Sequence, residues 1–302
     1  MNKSGTERIY NIAGVYLKLI NSGFPLCLTD SNKYVNFREV RSEGVAYSIK
    51  VIDGLPEFDL EGKVVLSSED LEPESNKSAH QYFHWNIVVQ GLSIYVVLLD
   101  SENLDKTVAI LEINKDRKWF LFVDCSFDLF AEGFNPFIYP LGPLIQYYLM
   151  IDNDACLMHA AAVRHKGEAL VFSGKSGVGK STMAGLWKGL GSVINDDKII
   201  IKREKEQFFV YNSPRYPNDV PVKLKLRKIY LLKQSKKNYS KRLGGAAALS
   251  GIMAFCIQHL YNRELVVERT QFLADVVQAV EVFELGFKPD HSIVDFILND
   301  DR

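Results

Sequence analysis

The sequence predicts an α/β (α+β) chain in two parts: a β-rich part over residues 1–135, and a second part over residues 136–302 in which strands and helices alternate. Three observations predict it. Up to about Phe130, short apolar and β-branched runs are separated by turn residues, with no long amphipathic helix among them. The segment Phe134 to Pro143 holds three prolines in ten residues, the mark of a boundary. Beyond it, from Glu168 to Leu190, a short apolar run, a glycine-rich loop and a helical periodicity follow one another.

Bulk properties bound the possibilities. A length of 302 residues suits one large or two ordinary domains, and 47% hydrophobic with 24% charged residues is the balance of a soluble globular protein. A formal net charge of -1 argues against bulk attraction to nucleic acid or membrane. Cys27, Cys125, Cys156 and Cys256 form no CxxC and no Cys/His ligand pattern. Reduced thiols in a cytoplasmic protein are expected, without a disulfide framework or structural zinc. Met1 to Arg8 is polar and lacks the apolar stretch of a signal peptide. Gly244 to Tyr261 carries no formal charge, but it falls short of the roughly 20 residues needed to span a bilayer. It also contains three glycines with Gln258 and His259, so it reads as a buried helix or two short ones.

In the first part, strands are expected at Ala13–Ile20, Val45–Val51, Ile94–Leu99, Val108–Ile113 and Trp119–Val123, together making a small antiparallel β domain. Asp53 to Asn76 holds eight carboxylates against one lysine and reads as a solvated loop face. His80 and His84, four apart, could share a helical face and a metal. No third ligand is evident nearby, and Tyr82, Phe83 and Trp85 suggest packing instead.

In the second part, Leu144 to Ile151 reads as a short apolar helix and Cys156 to Val163 as a buried strand. Arg164 to Gly167 turns the chain into the strand Glu168–Phe172. After the loop, Met183, Leu186, Trp187 and Leu190 recur on one helical face, and Gly189 and Gly191 end that helix. Further strands are expected at Ile199–Ile201, Phe208–Val210 and Leu224–Leu232. From Val220 to Arg263 there are ten Lys/Arg and no acid, read mostly as a solvated strand face. Without interleaved aromatic residues they make no nucleic-acid platform. The tail reads as helix Phe272–Val280, strand Val282–Leu285 and helix His291–Leu298 capped by Asp290.

The chemistry concentrates in the loop. Gly174, Gly179, Lys180 and Ser181 satisfy G-x-x-x-x-G-K-[ST], the Walker A pattern. Glycines let successive backbone N–H groups of Gly174, Lys175, Ser176, Gly177, Val178 and Gly179 converge on phosphate oxygens. Lys180 then reaches the terminal phosphates, the Ser181 hydroxyl suits Mg²⁺, and Thr182 continues the cradle into a helix whose positive end faces the anion. Sixteen and seventeen residues after Lys180, an apolar strand ends in Asp196-Asp197. Two adjacent carboxylates at a phosphate site suggest divided labour, one on the metal and one taking a proton from an attacking hydroxyl; a turn or cap pair is the alternative. Arg215, on the rigid loop Asn212–Pro217, is either a clamp for a transferring phosphate or an exposed loop residue. His159 is either a core strand histidine or a site residue.

These pieces together resemble the HPr kinase/phosphorylase family, whose fold is shared with ATP-dependent phosphoenolpyruvate carboxykinase. The resemblance is carried by Met158-His159, the Gly174–Ser181 loop and Asn195-Asp196-Asp197 in that order, and it continues more weakly over about 150 residues. It implies a P-loop domain with a mixed sheet. It also implies Lys180 on the β/γ-phosphates, Ser181 and Asp197 on Mg²⁺, Asp196 as catalytic base and His159 in the active site. Thr182 stands where the family's bacterial regulators carry glutamate. The chain looks more like the HPr-kinase-like enzymes found with peptide-modifying gene clusters, some of which phosphorylate a serine of a small peptide. The expected activity is therefore transfer of the γ-phosphoryl of ATP, with Mg²⁺, to a hydroxyl of a peptide, protein or small molecule. A nucleotide-dependent binding module is the alternative, and carboxykinase-type chemistry ranks last because no dicarboxylate site is identifiable. Family analogy suggests a homo-oligomer, with the β-rich part serving recognition or assembly.

Overall fold

The computed structural model describes residues 7–21, 28, 32–40, 44–57, 60–71, 83–130, 133–189, 193–259 and 261–300. Cys27, His80 and Leu190 lie outside them. The chain divides into two compact units. One comprises Met1–Tyr148 with Tyr216–Asn218, the other Leu149–Arg215 with Asp219–Arg302.

Hairpins set the first unit. Strands β1 (Glu7–Ile12) and β2 (Val15–Asn21) are joined by Ala13 and Gly14, both at positive φ (53° and 75°), a turn whose twist matches that of the strands it links. The expected strand Ala13–Ile20 thus opens with a turn, and the strand itself begins at Val15. There follow β3 (Arg38–Glu39), β4 (Tyr47–Asp53), β5 (Lys63–Ser67), the single helical turn α1 (Ser68–Leu71) and β6 (Phe83–Gln90). The meander continues with β7 (Ser93–Asp100), β8 (Thr107–Ile113) and β9 (Lys118–Val123).

All nine strands form one sheet in the order β3-β1-β2-β4-β9-β8-β7-β6-β5. The sheet is mixed rather than antiparallel, because β2–β4 and β4–β9 run parallel. Such pairs need a long crossover, which the spacing of turns along the chain does not reveal. Period-2 burial places Leu17, Leu19, Ile49, Val51, Leu121 and Val123 inside. A second cluster of Val88, Tyr95, Val97 and Ile110 covers other positions of β6, β7 and β8. His84 stands in strand β6, not on a helix, with Nδ1 3.3 Å from Ser68 Oγ.

Helix α2 (Leu141–Ile151) leads to β10 (Ala155–His165) and β11 (Glu168–Ser173), whose hairpin turns at Lys166 and Gly167. Next come α3 (Lys180–Leu186), β12 (Val193–Asn195), β13 (Lys198–Glu204), β14 (Gln207–Asn212) and β15 (Lys223–Gln234). The chain closes with β16 (Tyr239–Leu243), α4 (Gly245–Met253), α5 (Arg263–Ala279), β17 (Glu281–Phe287) and α6 (Ser292–Asp300). The second sheet is also mixed, in the order β11-β10-β13-β14-β15-β17-β16, with β12 on β10. β11 and β17 both run parallel to β15. The twelve residues of β15 therefore bond to three strands: to β14 near their start, to β11 along their middle and to β17 over their end.

Both faces of this sheet are covered. Ala160, Ala162 and Val171 point to the side packed by α4 and α5, through Ala248, Ile252, Phe272, Leu273 and Val276. Their neighbours Ala161, Val163 and Phe172 point to the other side, packed by α3 and α6 through Met183, Trp187, Ile293 and Ile297. Arg203 of β13 ties to α5, its Nη1 lying 2.7 Å from Asp275. α3 is shorter than its periodicity predicts and ends with Trp187 at its C-cap. α5 starts at Arg263, well before the expected Phe272, because Asn262 Oδ1 accepts the N–H of Glu264 (2.8 Å) and of Leu265 (3.2 Å). No helix among the described residues is long and apolar enough to cross a membrane.

Candidate active site

The glycine-rich loop joins β11 to α3, the arrangement its sequence predicts. Gly177 and Gly179 hold φ of 74° and 109°, a region L side chains rarely adopt, and a Cβ at Gly179 would come 2.7 Å from Phe287 Cζ. The loop is closed by Val178 N–H donating to Lys175 O (3.2 Å) and held from outside by Gln234 Nε2 donating to Gly177 O (3.2 Å). Lys180 is 7% exposed. Its ammonium turns back into the loop and donates to Gly174 O at 2.9 Å and Lys175 O at 3.2 Å. Burial lowers the Lys180 pKa, and the Asp197 charge opposes that shift. Ser176, Ser181 and Thr182 are exposed at the loop and the first turn of α3.

The acidic pair sits in the turn between β12 and β13. Buried Asn195 shapes it: its Oδ1 accepts the N–H of Asp197 (3.0 Å) and of Lys198 (3.2 Å), and its Nδ2 donates to Ser213 O (3.0 Å). Asp197 is the hub. One carboxylate oxygen lies 3.4 Å from His159 Nδ1, and the other accepts from Arg215 Nη1 at 2.7 Å. Asp196, half-buried, is its neighbour in the same turn. His159 belongs to β10 and is half-exposed. Burial and the Lys180 charge lower its pKa, while Asp197 pulls it up. Of the two readings of His159, an inward core histidine is not what the geometry displays. Arg215 likewise meets a site carboxylate rather than solvent alone.

Lys180, His159, Asp197 and Arg215 are thus gathered from four separate stretches of chain, while Gly174 to Thr182 form the adjoining cradle. The donor set fits a metal-borne triphosphate. Its positive-φ glycines leave backbone N–H groups at the loop, and Ser181 and Asp197 supply oxygens. A Mg²⁺ that keeps its waters and phosphate ligands needs only one or two such groups. Among the described residues, no three His, Cys, Asp or Glu side chains gather as a metal cage.

Two cavities flank the loop. One, of about 520 Å³, is lined by Gly179, Thr182, Lys236, Phe287 and Pro289. The other, of about 720 Å³, runs from Lys175 and Val178 to Leu231, Leu243, Ala247 and Phe255. Phe287, Pro289, Phe255 and Gln234 carry no motif of their own. Folding alone brings Phe287 and Gln234 to the loop and Phe255 and Pro289 to the cavities beside it, so spacing along the chain does not flag them.

No family model matches the sequence, and no curated protein matches it. Among solved structures, the chain is similar to the HPr(Ser) kinase/phosphatase from Coxiella burnetii, at 10% identity and a TM-score of 0.30, over 48% of this chain and 95% of that one. At that level the likeness decides nothing about the activity of this chain.

Proposed function

We propose that this protein is a phosphotransferase that moves the γ-phosphoryl group of ATP, with Mg²⁺, to a hydroxyl, with a serine of a peptide or protein as the favoured acceptor. One observation carries the reading: a buried lysine ammonium inside a glycine loop, beside a carboxylate shared by a histidine and an arginine. A phosphate at this loop would give the buried ammonium an anionic partner beyond the two main-chain carbonyls and the Asp197 charge it already meets.

The residues divide the work as follows. Backbone N–H groups of Gly174 to Thr182 hold the phosphate chain, and Lys180 neutralises charge at its β/γ end. Ser181 and Asp197 are the oxygens that would hold Mg²⁺, which supplies further neutralisation of the phosphate oxygens when bound. Asp196 takes the proton of the acceptor hydroxyl as its oxygen bonds to the γ-phosphorus. The bond from that phosphorus to the β–γ bridging oxygen breaks, and ADP leaves. Arg215 stabilises the charge spread over the transferring group. His159 orients Asp197. The nucleoside fits the smaller cavity at Thr182 and Phe287. A site using ATP and reduced thiols is consistent with a cytoplasmic setting.

Labelled ATP with serine peptides and small hydroxyl compounds, read by mass spectrometry, tests this. Lys180→Ala should lose nucleotide binding or turnover, and Asp196→Asn should keep ATP binding but lose transfer. Transfer retained in Asp196→Asn removes that residue from its role. Tight ATP binding with no phosphorylated product from any acceptor favours a binding module instead.

A further inference from the structure

With the nucleoside assigned to the smaller cavity, the larger one is left for another group. We propose that it receives an apolar side chain neighbouring the hydroxyl residue of an extended peptide, and so selects the acceptor. The inference rests on the phosphotransferase reading above.

Its position comes first. One end is formed by Lys175, whose carbonyl accepts from Lys180 Nζ at 3.2 Å. The other reaches Phe255, whose carbonyl accepts the N–H of His159 at 2.8 Å. Both contacts lead to the reacting end of the phosphate chain, so a group seated here lies beside the transferring phosphorus. The nucleoside leaves the loop from the opposite end. The loop cradles the α- and β-phosphates with the γ end at the lysine, which directs the base toward Thr182 and Phe287 and away from Phe255.

The lining comes second. Val178, Leu231, Leu243, Ala247 and Phe255 are apolar, and a volume of about 720 Å³ lies within the range of sites that enclose an organic ligand. That is more room than a single aliphatic side chain fills, so part of the main chain enters with it. At the rim, Lys233 and Glu284 are spent on one another at 2.6 Å, while Lys175 stands at the loop end beside the phosphate site. Away from the Lys175 end, a highly charged acceptor segment would lose hydration without a partner.

A strand edge is the third observation, and it favours a peptide over a small alcohol. Leu243, a lining residue, is the last residue of β16. β16 pairs with β17 on one side and, among the described residues, with no strand on the other. Its outer backbone groups can bond an extended chain while alternate side chains of that chain drop into the cavity.

The experiment uses the full chain and synthetic nine-residue peptides with a central serine in a Gly/Asn background. Leu or Asp is scanned through the three positions on either side. Leu at one or two adjacent positions should raise kcat/KM at least tenfold over the background peptide, and Asp there should lower it. Ala247→Trp, on an exposed position of α4, should abolish the Leu advantage by raising the peptide KM, with the KM for ATP followed in parallel. Ser250→Phe provides a second filling variant. Equal kcat/KM across all peptides, with phosphorylation proceeding, overturns the inference and leaves the kinase reading intact. A rise in the KM for ATP in both filling variants overturns it by seating the nucleoside here. Small apolar alcohols phosphorylated better than any peptide overturn it by changing the acceptor. Lys180-dependent ATP binding without transfer to any peptide overturns it as well, whereas loss of all Lys180-dependent binding brings down the reading beneath it.

Discussion

Acidification should weaken the protein through His259, the buried imidazole that follows the Phe255–Ile257 segment. The side chain is 5% exposed, and burial pushes its pKa from 6.5 down to about 4. In the unfolded chain the same group titrates near its ordinary value. Between about pH 6.5 and pH 4 the unfolded state therefore binds a proton that the folded state refuses. The contribution is intact above that window and is lost progressively as pH falls through it. Those two values give a loss of about 2 kcal/mol at pH 5 relative to pH 8, and about 3 kcal/mol at pH 4. Urea denaturation of the wild type and His259→Gln at pH 8 and pH 5 measures it. The variant starts lower at pH 8, because a buried polar group has been exchanged. It should nonetheless lose about 2 kcal/mol less than the wild type between the two pH values. Identical pH dependence in the two proteins would refute the reasoning, whatever their absolute stabilities.

Three further outcomes follow from the site. With the His159 pKa lowered by burial and Lys180, its protonation should affect kcat/KM only on the acid side of the ordinary imidazole range, and His159→Asn should change the position of the acid limb, as a pH–rate profile would show. Gly179→Ala should cost about 1–3 kcal/mol, because it strains a backbone at φ 109° and drives a Cβ to 2.7 Å from the Phe287 ring; thermal melts and ATP titration should both register it. Arg215→Ala should change stability by under about 1 kcal/mol, since its ion pair with Asp197 is partly exposed, while transfer drops about tenfold or more. A variant with lost stability and full transfer would make Arg215 structural.

What could be read in advance was what is written locally. The β10–β11 hairpin, the loop and the start of α3 are consecutive, and each carries its own signature: continuous apolar runs, glycines and then the Met183/Trp187 spacing. Asp290 as a cap was equally legible, and its Oδ1 accepts Ser292 N–H at 3.0 Å. β16 was missed because Tyr-Ser-Lys-Arg-Leu is polar on its solvent side, as an edge strand is. β6 is hidden in the sequence because the four-residue spacing of His80 and His84 also fits a helical face, while Phe83 and Trp85 indicate packing without fixing a period. In a strand their alternate burial is ordinary period-2 packing. The parallel neighbours of β4 and the approach of Phe287 to Gly179 are products of topology, and no window of sequence contains both partners. His159 and Arg215 stood undecided between two readings each, because only folding determines that Asp197 lies between them.

The triple engagement of β15 has a mechanical consequence. Its final residue, Gln234, also grips the loop at Gly177, so the segment that carries Lys180 is moored at both its root and its crest to one strand. No neighbour can peel away alone without unpicking amides on that strand, which makes the second unit resist partial opening. Its β15 amides should exchange with solvent at the pace of whole-unit unfolding, and a molecule seated in the loop should slow them all together.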